Sequence, residues 1–104
     1  MNRAISYAAN KKNHVFVLSI PDYSVTPFAS GLDTVKIGKE IDAFNAVNKS
    51  ISLNAGVHYV DITPVSREAK YKLSLIAGDG LHPSAYQYQK WSKLLAPLIQ
   101  QELQ

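Results

Sequence analysis

The 104-residue sequence predicts an α/β fold with parallel strands, and three observations carry that reading. His14-Val15-Phe16-Val17-Leu18-Ser19-Ile20 is a β-branched and aromatic run with little polar alternation, the pattern of a strand buried on both faces. A second run of the same kind, Val57 to Ile62, follows a long stretch of helical periodicity. Strand, helix and strand in that order form a unit whose crossover is right-handed and whose strands lie parallel.

From the start of the chain, Ala4, Ile5, Ala8 and Ala9 recur at helical spacing between Arg3 and Lys12, with Lys11 and Lys12 where cations suit a helix C-terminus. The segment reads as a helix entered part-way, and its apolar content is too thin for the central region of a signal peptide. The first strand is closed by Pro21. Pro21 to Asp33, with two prolines, a glycine and small polar residues, reads as a long loop at that strand's carboxyl end, where α/β folds build their sites. Ile37, Ile41, Phe44, Val47 and Ile51 then recur every three or four positions from Thr34 to Asn54. That spacing predicts a long amphipathic helix, with Asp33 or Thr34 as N-cap and Asn54-Ala55-Gly56 as its end.

After the second strand, a short helical turn is expected around Val65 to Ala69, then a loop. A final amphipathic helix carries Tyr88, Trp91, Leu94, Leu95, Leu98, Ile99 and Leu103. Pro83 suits its first turn and pushes His82 out of the α region, and Pro97 is expected to kink it.

Composition narrows the function classes. At 46% hydrophobic and 18% charged, the chain has the apolar content of one small globular domain. Its net charge of +3 is spread over lysines that never run longer than two, a solvated surface rather than a nucleic-acid stripe. Without cysteine there is no disulfide framework and no thiolate ligand or nucleophile. His14 and His58 sit at or in strands and form no pair at ligand spacing, so no metal site is expected, and no cofactor motif occurs. No run is long and apolar enough to span a membrane. Localisation stays open.

The chemistry concentrates in Asp79-Gly80-Leu81-His82-Pro83-Ser84, which places a carboxylate and an imidazole three positions apart just before the final helix. A carboxylate fixes an imidazole's tautomer and stabilises its charged form, and the imidazole can then take a proton from a hydroxyl nucleophile. Tyr23 and Phe28, in the loop after the first strand, are candidate lining residues for an acyl pocket, although aromatic loop residues also serve simply to pack a loop down. No motif marks a nucleophile. Ser24 and Ser84 are the nearest serines by loop position, and neither is expected to act as one.

Asp79-x-x-His82-Pro83, followed by a helix with Tyr88 and Trp91, resembles the Asp-x-x-His block that closes the SGNH (GDSL-type) hydrolase domain. The Val17 to Ser24 strand-loop and Val60-Asp61-Ile62-Thr63 match that domain's last two strands. The resemblance covers essentially the whole chain, but only the C-terminal half or so of the family's domain. It implies a partial flavodoxin-like α/β/α sandwich, with residues 1–104 as the C-terminal part of a single hydrolase domain. It further implies hydrolysis of an ester or thioester through an acyl-enzyme. His82 would be the general base and then the acid, and Asp79 its orienting partner. The family's Gly-Asp-Ser nucleophile block has no counterpart here, since the only Gly-Asp, Gly78-Asp79, is followed by Gly80. The oxyanion-hole glycine and the Gly-x-Asn-Asp block are likewise missing, and all of these are expected to precede Met1.

Expected partners are therefore a small-molecule, lipid or carbohydrate ester, the missing N-terminal half, or a second copy joined through an exposed sheet edge, with no nucleic acid. Two other readings stay open. One is a non-catalytic remnant or interaction module that uses that edge. The other is an independent small α/β domain in which Asp79 merely orders an Asp-Gly turn and His82 precedes a proline-started helix.

Overall fold

The computed structural model describes residues 1–104. It is mostly helical, with two short parallel strands, and its elements run α1 (Asn2–Tyr7), β1 (Phe16–Leu18), α2 (Thr34–Asn54), β2 (His58–Val60), α3 (Thr63–Arg67) and α4 (Ala85–Leu103). Single 3-10 turns fill the connections, including Tyr23–Val25 and Pro27–Ala29 after β1 and Leu73–Leu75 before the final loop.

The strand-helix-strand unit sets the architecture. β1 pairs with β2 in parallel, with Phe16, Val17 and Leu18 opposite His58, Tyr59 and Val60. Alternation along the strands sends Phe16 and His58 to one face, where their rings stack at 4.6 Å, and Val17 and Tyr59 to the other. α4 lies against the first face, through Glu102 at 2.7 Å from His58 Nε2. α2 lies against the second, through the Tyr59 hydroxyl, which donates to the Asn45 carbonyl. The core is small: Val15, Ala29, Ile41, Val57, Val60, Ile62, Ala69 and Leu75 are the buried apolar residues.

α2 keeps the boundaries its capping residues dictate. Asp33 is the N-cap and accepts from the Lys36 N–H at 3.1 Å. At the other end Gly56 takes φ +78°, and Gly56 and Val57 donate to the carbonyls of Leu53 and Ser52, the paired bonds of a Schellman stop. α1 is shorter than its periodicity predicts. Ala9 and Asn10 turn left-handed (φ 55° and 61°) and donate to Ser6 and Ile5, so the same stop closes the helix before Lys11. β1 is also shorter than expected: its last bond to β2 runs from the Ser19 N–H to the Val60 carbonyl at 2.9 Å, and beyond it the Ile20 N–H meets Asn45 Oδ1 at 3.0 Å.

The last helix starts two residues later than the proline suggests. Pro83 pairs with Ile76 in an isolated antiparallel bridge, and Ser84 becomes the N-cap, its hydroxyl accepting from the Gln87 N–H at 3.2 Å. The same hydroxyl donates to the Ser74 carbonyl at 2.7 Å, so one side chain caps the helix and ties down the loop that precedes it. Replacing Ser84 with Ala is expected to cost about 1 kcal/mol, read as a lower urea midpoint with an unchanged slope. An unchanged midpoint would show that the cap contributes nothing. α4 runs through Pro97 without interruption, and it is not long and apolar enough to cross a membrane, nor is any other helix.

Candidate active site

The loop from Ala77 to Ser84 leaves and rejoins the same place. The Ala77 N–H donates to the His82 carbonyl at 2.8 Å, and the Ser84 N–H donates to the Leu75 carbonyl at 2.9 Å. Gln87 reaches back from α4 to donate to that Leu75 carbonyl at 2.8 Å. At the turn, Gly80 takes φ +74°, a value that favours glycine, and its carbonyl accepts from the Phe28 N–H at 3.0 Å. The loop is thereby fixed at its base by α4 and at its tip by the turn that follows β1.

Within that frame Asp79 and His82 face each other. Asp79 Oδ1 accepts from the backbone N–H groups of Leu81 at 2.9 Å and His82 at 3.0 Å, which leaves Oδ2 for the imidazole Nδ1. The carboxylate is therefore oriented by the backbone before it orients the ring. An Nδ1–H donating to a carboxylate leaves Nε2 of the neutral ring with its lone pair, the arrangement a general base needs. No protein hydrogen bond engages Nε2, and the His82 and Asp79 side chains are 68% and 49% exposed.

The His82 ring, followed by the two backbone N–H groups, holds the Asp79 carboxyl down at about 2 against an ordinary 3.8. Because the folded value lies below the unfolded one, the pair's contribution is complete above the unfolded value. It is lost as pH falls from there through about 2. The Asp79 carboxyl resonance is expected to titrate at about 2 and to move up toward 3.8 in His82→Ala. A resonance that stays put in the variant would show that the ring does not hold the carboxylate.

The two aromatic candidates sit beside this loop. Phe28 is exposed and is joined to it through the bond to Gly80. Tyr23 lines a small cavity of about 30 Å³ together with Leu81, Pro83 and Gln87. The neighbouring Asp22 is buried, and its carboxylate is gripped by Arg67 Nε at 2.9 Å and by the Ser24 N–H at 2.9 Å. Burial alone pushes that carboxyl up, but those bonds outweigh it and hold it below its ordinary value. Arg67 also reaches Asp42 at 2.8 Å, so one guanidinium ties the loop after β1 to α2 and α3.

A second polar group, Ser19, Asn45, Asp61 and Thr63, joins the carboxyl ends of both strands to α2. Ser19 Oγ donates to Asp61 Oδ1 at 2.8 Å and accepts from the Ile62 N–H at 2.8 Å and the Thr63 N–H at 3.1 Å. Asn45 Nδ2 donates to Thr63 Oγ1 at 2.9 Å. Sequence reasoning did not mark these residues. Its one available signal was Asn45, an amide four residues after Ile41 and so on the same side of α2.

None of the ten serines is hydrogen-bonded to His82. Ser24 is buried beside Asp22, and the Ser84 hydroxyl is occupied by Ser74 and Gln87. No group of three His, Cys, Asp or Glu side chains is arranged to hold a metal ion. No protein-family model, curated protein or solved structure matches the chain.

Proposed function

We propose that residues 1–104 are the histidine- and aspartate-bearing part of an SGNH (GDSL)-type serine ester hydrolase, folded as the C-terminal portion of a flavodoxin-like α/β/α sandwich. The observation that carries the reading is the Asp79–His82 pair. It joins Oδ2 to Nδ1, is pre-oriented by two backbone N–H groups, and leaves Nε2 free. Its position supports the reading too, since the loop is pinned to the turn following a parallel strand, and α2 and α4 cover opposite faces of the sheet.

In this reading His82 Nε2 takes the proton of a serine hydroxyl as that oxygen bonds the ester carbonyl carbon. The imidazolium, stabilised by Asp79, then gives the proton to the departing alcohol, leaving an acyl-serine. Water repeats the sequence: His82 takes its proton as the water oxygen bonds the acyl carbon, then returns that proton to the serine oxygen as the acyl–serine bond breaks and the carboxylic acid leaves. The serine belongs to a Gly-Asp-Ser segment outside these residues, because no such tripeptide occurs here and none of the ten serines meets His82. The exposed pair leaves room for a small-molecule, lipid or carbohydrate ester, with Tyr23 and Phe28 on its flank. The test is hydrolysis of a short-chain p-nitrophenyl ester by the protein together with its serine-bearing segment. Turnover that depends on His82 supports the assignment, and turnover that ignores it removes the assignment.

A further inference from the structure

Neither Asp79 nor His82 borders the cavity of about 220 Å³ that lies between α2, the end of β2 and α3. Asp42, Ala46 and Lys49 line it from α2, at the spacing that puts them on one stripe of the helix. Tyr59, Asp61, Pro64 and Arg67 line it from the β2 end and from α3. No residue of β1 takes part, so strands that continue the proposed hydrolase domain past the open edge of β1 leave the cavity uncovered.

Its polar groups are held in place and still have bonding capacity. Asp42 Oδ1 accepts from Arg67 Nη2 at 2.8 Å, and Asp61 Oδ1 accepts from Ser19 Oγ at 2.8 Å and from the Thr63 N–H at 3.2 Å. The second oxygen of each carboxylate has no protein partner. Arg67 uses Nε on Asp22 and Nη2 on Asp42 and the Gly38 carbonyl, which leaves Nη1. Lys49 is exposed and joins no ion pair. The Tyr59 hydroxyl donates to the Asn45 carbonyl at 3.3 Å, and its lone pairs are open. Side chains fixed by one bond and open at another lower the ordering cost of binding.

The chemistry of the wall selects the ligand. Two carboxylates stand against one ammonium and one guanidinium, so a simple anion or cation loses at one end what it gains at the other. A hydroxyl donates once and accepts twice, and it satisfies a carboxylate oxygen and a Lys or Arg N–H together. The Tyr59 ring, Ala46 and Pro64 supply an apolar portion, which suits the C–H face of a sugar ring. The volume is below the roughly 300–1,000 Å³ of pockets that hold drug-sized ligands, so it admits one such ring.

We propose that this cavity is a carbohydrate-binding site for a single neutral sugar residue, whose hydroxyls bridge Asp42 Oδ2 and Asp61 Oδ2 to Lys49 and Arg67. The binding is independent of the Asp79–His82 pair. Its consequence for the substrate, that the ester is carried on a saccharide, rests on the hydrolase reading.

Titration of the isotope-labelled chain with the methyl glycosides of glucose, galactose, mannose and N-acetylglucosamine, followed by its backbone N–H resonances, tests the site. At least one glycoside is expected to shift the resonances of Lys49, Tyr59 and Asp61 saturably, with a dissociation constant in the millimolar range that suits so small a ligand. Lys49→Ala removes an exposed donor, and Asp61→Asn keeps an acceptor for Ser19 and Thr63 while replacing the open oxygen. Each is expected to weaken binding at least about fivefold with an unchanged circular dichroism spectrum. His82→Ala is expected to bind the glycoside as the wild type does, so failure of the sugar site and failure of the hydrolase reading are read separately. Glycine, which carries both charges and no ring, is expected to shift nothing there. Absence of saturable shifts with all four glycosides overturns the proposal. Binding that is unchanged in both folded variants, or that glycine reproduces at the same residues, overturns it as well.

Discussion

His82→Ala is expected to lower ester hydrolysis by a factor on the order of 10⁶ when the serine-bearing segment is present, because no other side chain stands where Nε2 does. Asp79→Asn is expected to lower it by a factor on the order of 10⁴ and to leave the fold intact. The asparagine carbonyl oxygen can still accept from the Leu81 and His82 N–H groups, which are the bonds that shape the turn. Its amide, however, donates to Nδ1 where the carboxylate accepted. The ring proton moves to Nε2, and the base is lost. A loss of activity in Asp79→Asn accompanied by a collapsed loop would assign the residue a folding role instead. The distinguishing readout is the pair of backbone N–H resonances at Leu81 and His82, which should be retained.

Ser19→Ala is expected to cost about 2–3 kcal/mol of stability, the largest single effect predicted outside the Asp79–His82 pair. Its hydroxyl is almost fully buried and accepts from two backbone N–H groups at the end of β2. Thr63 has a second acceptor in Asp61 Oδ1 at 3.2 Å, but Ile62 has none, so the substitution buries an unpaired donor. Ile62 is itself fully buried, which keeps water from replacing the lost partner. The midpoint of urea unfolding reads the cost directly. A change under about 0.5 kcal/mol, the range of an ordinary surface substitution, would show that the network does not hold the strand ends together.

Features written in adjacent residues were legible in the sequence. α2 begins and ends where Asp33 and Gly56 place it, because a cap and a left-handed stop depend only on neighbours. The Asp79–His82 pair was legible for the same reason, since a three-residue turn brings the two side chains together. Where two local signals competed, the stronger prevailed: Ser84, not Pro83, starts α4, because a hydroxyl that caps Gln87 and bonds Ser74 satisfies more groups than a preset φ does.

Long-range partners were not legible. Ser19 and Thr63 meet across 44 residues, and nothing in either local pattern records it. The helical period put Ile37, Ile41, Phe44, Val47 and Ile51 on one apolar side of α2, but of these only Ile41 is buried, because a period says which residues share a side and not what covers it. Phe44, Val47 and Ile51 are exposed, because the inner face of α2 is carried by Ile41, Ser52 and the half-buried Asn45. The flavodoxin-like sandwich belongs to the resemblance, whereas the two parallel strands joined through α2 followed from the residues.

The central claim is that His82, oriented by Asp79, serves a serine that lies outside these 104 residues. A fluorophosphonate probe reacts covalently with a serine only when a base activates its hydroxyl, so the labelling rate of the native-length protein, with and without His82→Ala, tests the claim most directly. The account predicts fast labelling of a serine in a Gly-Asp-Ser segment and its near-complete loss in His82→Ala. Labelling at an equal rate in the two proteins, or at no serine in either, would contradict it.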